Sequence, residues 1–248
     1  MLYIISPTKT MKTTTHYKPS AMPQLWEKAE LLLANIKMLT VEDIMHFMHV
    51  KEALAIQTKQ RFDQLSFHEN GYCAIEAYDG LQFKYMQMED LAMSELSYLQ
   101  EHLRILSGFY GVLRPFDGVT PYRLEMQARI DLELGGRHFT DLYGFWGDRI
   151  YRELVREDRI VINLASREYS KAVEPYLEPD VVFLNVVFGC METDKNGNPK
   201  IKVKGTEAKM ARGEMVRYLA ETGGNPGIRP FGLPVLQRAL RCEESDIY

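Results

Sequence analysis

Two apolar segments of the 248-residue chain end in the same kind of polar cluster. Residues 2–5, "LYII", run into Ser6-Pro-Thr-Lys9, and "RIVINL" at 159–164 runs into Ser166-Arg-Glu-Tyr-Ser-Lys171. Serine hydroxyls and lysine ammonium groups recognise oxyanions, because together they supply short donors and a positive charge. If both segments are strands of one sheet and point the same way, Ser6, Lys9, Ser166, Arg167 and Lys171 meet at its carboxyl edge, the usual ligand position in open α/β sheets. Arg167 and Lys171 fall in the first turns of a predicted helix, where the backbone already carries partial positive charge and a cation is mildly unfavourable. Lys209 and Arg212 repeat the pattern after Thr206. A bound phosphate relieves both arrangements; the alternative is that the cations point into water, with Glu168 and Glu207 balancing the helix ends.

Other candidates are weaker. Ser6-x-x-Lys9 matches a nucleophile motif that needs its serine at a helix start, and here proline follows. His46 and His49 have no third partner of metal-binding spacing. In "LYGFWGD", residues 142–148, aromatic rings could stack on a base while Asp148 accepts a hydrogen bond or activates water; otherwise the rings are core and Asp148 opens the next helix. Glu125 is a second acid-base candidate, and Asp79 and Glu168 are further carboxylates beside motif-like sequence. Which of them could act depends on burial. In "LRILSGFYGVLRPFDG", a helix broken by Gly108-Phe-Tyr-Gly111 could begin a helix-hairpin-helix element, with glycines that let backbone N–H groups approach phosphate and with Arg104, Arg114 and Arg123 beside them. The plainer reading is a helix end followed by a rigid loop.

These residues need a scaffold. Apolar residues make up 46% of the chain, enough for one substantial core, and acidic residues outnumber basic ones by 34 to 30. Overall charge therefore does not draw the protein to nucleic acid, and an anion site must be local. Cys73, Cys190 and Cys242 suggest neither a disulfide framework nor a metal pair. No signal peptide or membrane-length apolar run is visible, so a cytoplasmic protein without membrane association is expected. Periodicity predicts strands at 2–5 and 159–164 and helices from about 24 to 62, 90 to 107, 147 to 155 and from 206 onward. Asn196-Gly197 predicts a hairpin joining 181–188 to 200–205. The expected fold is a single compact mixed α/β (α+β) domain over 1–248, with a small central mixed sheet surrounded by helices.

Taken together, "SPTKT" at 6–10, the block 103–126, "DLYGFWGD" at 141–148, "INLASREYSKAV" at 162–173 and "KMARGEMVRY" at 209–218 resemble the YaaA peroxide stress response family from Met1 to about Ala220. The resemblance implies a cytoplasmic protein that limits hydrogen-peroxide damage, is associated with low free iron, and binds double-stranded DNA with little sequence preference. It implies a helix-hairpin-helix-like element at Leu106–Gly111 and a basic cleft of Lys9, Arg114, Arg123, Lys171, Lys209 and Arg212. No cofactor or metal ligand set is implied. The rival reading is an enzyme acting on a nucleotide, nucleoside or damaged base, with Asp148 or Glu125 as its acid or base.

Overall fold

The computed structural model describes residues 1–67, 71–195 and 197–224. They fall into two compact units, one of residues 1–79 and 102–184, the other of residues 80–101 and those from 185 onward. The chain opens with β1 (Leu2–Ile5) and β2 (Thr10–Met11), then α1 (Trp26–Met38), α2 (Val41–Met48) and α3 (Glu52–Gln64). The predicted helical stretch is thus three helices. Thr40 separates the first two with a capping box, its hydroxyl accepting from the Asp43 N–H while the Asp43 carboxylate accepts from the Thr40 N–H. Next come β3 (Tyr72–Cys73), α4 (Ala74–Ala77), β4 (Tyr78–Asp79), α5 (Leu81–Lys84) and α6 (Met93–His102).

The helix predicted to reach residue 107 stops at His102, and Leu103–Ser107 is strand β5. A short apolar run such as Leu-Arg-Ile-Leu fits either period, and burial on both faces decides for strand. After β5 come β6 (Gly111–Leu113), β7 (Gly118–Val119), β8 (Arg129–Leu134), β9 (Arg137–Asp141), α7 (Leu142–Trp146), α8 (Arg149–Glu157), β10 (Ile160–Asn163), α9 (Arg167–Ser170) and β11 (Val182–Asn185). The last elements are β12 (Cys190–Thr193), β13 (Pro199–Lys202) and α10 (Gly205–Thr222).

In the first unit a five-stranded mixed sheet has the order β11-β10-β1-β5-β6. β1 pairs in parallel with β10 and with β5, and β5 pairs antiparallel with β6. All four residues of β1 are buried, as expected of a central parallel strand covered on both faces. In the second unit α10 lies against α5 so closely that a Cβ on Gly213 would sit 2.2 Å from the Gln82 carbonyl oxygen. The hairpin there joins β12, not 181–188, to β13; β11 belongs instead to the main sheet. Gly197 takes the left-handed conformation the turn requires (φ 84°), while Asn196 lies outside the described residues. Cys242 also lies outside them.

The β5–β6 hairpin replaces the expected helix-hairpin-helix element. Ser107 Oγ accepts from the Phe109 and Tyr110 N–H groups at 3.2 and 2.9 Å, closing the turn. Both aromatic residues are buried. Gly108 is required because a Cβ there would meet the Leu124 carbonyl oxygen at 2.6 Å, and its own carbonyl accepts from Trp146 Nε1 at 2.9 Å. Gly111 combines a φ of 76° with a Trp146 ring that would lie 2.9 Å from a Cβ. These glycines serve core packing: no helix leads into Gly108, and the turn is covered by aromatic side chains.

Candidate functional site

Because β1 and β10 are parallel neighbours, their carboxyl ends emerge side by side. The Ser166 N–H donates to Ser6 Oγ at 2.8 Å, and the two hydroxyls lie 3.1 Å apart. Ser166 occupies the cap position of α9, but its side chain makes no cap bond and is used for this link. The link ties the end of β1 to the start of α9.

Above this pair lies a charged cluster. Lys9 Nζ is 2.9 Å from Glu125 Oε1, and Arg123 Nη2 reaches the same oxygen at 3.0 Å. Glu125 is buried, whereas the Lys9 side chain is 58% exposed. The Glu168 carboxylate accepts from the Gln127 N–H at 3.4 Å. Burial pushes the Glu168 carboxyl above its usual value and the nearby Glu125 charge adds to this, while the Gln127 N–H and Lys9 pull the other way. Tyr143 braces the site from α7, donating its hydroxyl to the Glu168 carbonyl at 2.8 Å. Asp141 starts that helix by accepting from the Gly144 N–H at 2.7 Å. Arg167 and Lys171, on and just after α9, are exposed and make no ion pair among the described residues.

The structure therefore brings Ser6, Lys9, Arg123, Glu125, Ser166 and Glu168 into one mouth, with Arg167 and Lys171 on the helix that forms its wall. Other sequence candidates lie elsewhere. Arg114 follows β6, which runs back from the carboxyl edge, and its guanidinium pairs with Glu157 at 3.0 Å. Arg104 is almost wholly buried and donates to the same carboxylate. Asp148 pairs with Arg152 one turn along α8 at 2.6 Å, so it serves a helix surface rather than the mouth. Lys209 and Arg212 belong to α10 of the second unit, Lys209 exposed and Arg212 half-buried. Burial lowers the Arg212 pKa, and its Nε has no partner among the described residues. His46 is the last-turn base of α2 and His49 its left-handed C-cap. Among the described residues no group of three or more His, Cys, Asp or Glu is arranged to hold a metal.

Glu168 is the residue whose half-buried setting spacing could not show. It sits in the conspicuous "SREYSK" segment, but its value comes from half-burial against the 126–127 backbone, which only the fold creates.

A mixed sheet with a serine-, cation- and carboxylate-lined carboxyl edge defines an α/β protein with its polar cluster where open α/β sheets hold ligands. Residues 1–225 match the family described as peroxide stress protein YaaA, and the chain belongs to that family. It is also similar to proteins named UPF0246, among them those of Pediococcus pentosaceus (41% identical over 89% of this chain and 84% of the relative) and Agathobacter rectalis (42% over 89% and 86%). That of Lachnoclostridium phytofermentans is 43% identical over 89% of this chain and 84% of the relative. No helix among the described residues is long and apolar enough to cross a membrane.

Proposed function

We propose that this peroxide stress protein limits hydrogen-peroxide damage in the cytoplasm by binding double-stranded DNA through its phosphates, with little reading of base sequence. One observation carries the reading: Arg167 and Lys171 are exposed without ion-pair partners among the described residues, on a segment that the Ser6–Ser166 link holds beside the exposed Lys9 ammonium. Cations held in place without a carboxylate of their own suit a backbone phosphate. The surface is the first unit's carboxyl edge, not the hairpin at 106–111, whose glycines are used for packing. Any lowering of free iron associated with such proteins is, on this reading, indirect.

The test is fluorescence anisotropy with a labelled duplex at salt concentrations between about 50 and about 200 mM, across which phosphate-dominated binding weakens steeply. Arg167→Glu with Lys171→Glu is expected to remove retention with the melting temperature unchanged. Undiminished binding by that variant ends the proposal.

A second reading is favoured by the carboxyl pair. Glu168 is pushed towards its protonated form by burial and lies near Glu125, which is paired with two cations, and a carboxyl raised in this way suits a general acid acting on a nucleotide or a damaged base. Glu168 takes the place that the sequence suggested for Asp148. Loss of turnover in Glu168→Gln with ligand binding retained would establish this reading; absence of turnover on nucleotides, nucleosides and damaged duplexes counts against it.

A further inference from the structure

The β12–β13 hairpin of the second unit sorts its side chains by face. In an antiparallel pair, directly opposed residues share a face. Met191 opposes Ile201, while Cys190 opposes Lys202 and Glu192 opposes Lys200. One face is therefore apolar, carrying Met191 and Ile201, and the other carries Glu192, Lys200 and Lys202, with Lys204 next in the alternation. All of these except Cys190 are exposed, as is Lys195 at the turn. Residues 190–204 hold four lysines against Glu192 and Asp194, in a chain whose net charge is −4. A two-stranded ribbon is marginal by itself, and this one presents a concentrated positive face to solvent.

We propose that the lysine face of this ribbon tracks the backbone of duplex DNA, a contact additional to the first-unit mouth. The inference rests on the DNA-binding reading above. Alternate residues of a strand lie about 6.6 Å apart, so Lys200, Lys202 and Lys204 form a row about 13 Å long. Three ammonium groups in a row of that length offer one partner to each of roughly three phosphates on one strand. Internal competitors hold it in check, because Lys202 pairs with Glu192 at 2.9 Å and Lys204 with Glu207 at 3.2 Å. The opposite face does not suggest a second copy as its occupant: it offers three apolar side chains, Met191, Ile201 and, next in the alternation, Val203, at 40%, 51% and 51% exposed. That area falls far short of the roughly 800 Å² per partner of a stable interface.

The experiment measures duplex affinity against salt for the full-length wild type, Lys200→Gln with Lys202→Gln, Glu192→Gln and a control, Lys51→Gln, in the first unit. The lysine pair is expected to lower affinity about tenfold or more near 0.1 M salt and to flatten the log–log salt slope by about two, one for each lost phosphate contact. Glu192→Gln should raise affinity severalfold by freeing Lys202, and Lys51→Gln should change nothing. Circular dichroism and melting curves confirm that the variants fold. Wild-type binding with unchanged slopes in the ribbon variants overturns this inference and leaves the mouth reading standing. A wild type that does not bind duplex overturns both. A dimer in sedimentation that Ile201→Asp converts to monomer assigns the ribbon to self-association and overturns the inference as well.

Discussion

Two clusters in the first unit are built to the same formula, one glutamate between two cations, and they do different work. Glu157 uses both carboxylate oxygens: Oε2 accepts from Arg104, and Oε1 accepts from Arg114 and from Gln24 at 3.0 and 3.1 Å. Glu125 holds Lys9 and Arg123 on Oε1 alone. The first cluster includes an arginine only 2% exposed, and the second an ammonium open to water. An arginine buried against its carboxylate is committed to structure, since removing that carboxylate strands a buried charge. At the mouth, a half-exposed lysine exchanges its carboxylate for another anion at small cost, because water screens both states. Exposure, more than composition, separates the framework cluster from the one available to a ligand.

The sharpest way to break this comparison is Arg104→Ala, expected to cost about 3–5 kcal/mol in urea unfolding, against about 1 kcal/mol or less for Lys9→Ala. Equal costs would show that the two clusters are energetically alike. A comparably large effect is expected at the hairpin that sequence reading took for a binding element. Gly108→Ala drives a Cβ into the Leu124 carbonyl and should cost more than about 2 kcal/mol, while a solvent-facing DNA-binding hairpin would lose affinity and keep its stability.

The two clusters also differ in their dependence on pH. Burial pushes the Asp117 carboxyl, beside the Glu157 cluster, up to about 7, against the pull of the Arg114 N–H and the nearby Arg114 and Arg104 charges. A folded value above the unfolded 3.8 means that the folded state binds the extra proton. Its contribution to stability is therefore complete below that unfolded value and is lost as pH rises to about 7. Glu157 behaves oppositely: burial raises its carboxyl, but the hydrogen bonds from Arg104, Arg114 and Gln24 prevail and hold it below 4.5. Its contribution is present above that unfolded value and is lost as pH falls through the lowered folded one. Asp117→Asn should flatten the decline in melting temperature between about pH 4 and about pH 7, and an unaltered profile would remove Asp117 as its source. The smallest expected effect is at the mouth. Glu125→Gln should raise duplex affinity severalfold by releasing Lys9 and Arg123. Weaker binding in that variant would show that Glu125 holds those cations in the productive position.

Legibility followed the range of the interactions. The two strands ending in Ser6 and Ser166 could be read from their aliphatic runs, because that signal is local. The meeting of Ser6 with Ser166 followed once the strands were taken as parallel neighbours. Leu103–Ser107 was misread as helix because a run of buried residues has no single period. Arg114 and Asp148 looked like site residues through the company they keep in sequence, yet their partners, Glu157 and Arg152, lie on a different element and one turn away.

The amino-acid sequence by itself determined the family, the mixed α/β class and the serine- and lysine-bearing strand ends, since these depend on residue order and local periodicity. Only the tertiary structure decided which charges are spent. Whether an arginine is buried against a carboxylate or left in water depends on which distant elements close over it, and that in turn decides whether Glu168 is half-buried, whether Gly108 and Gly111 pack or bind, and which cations remain available to a ligand.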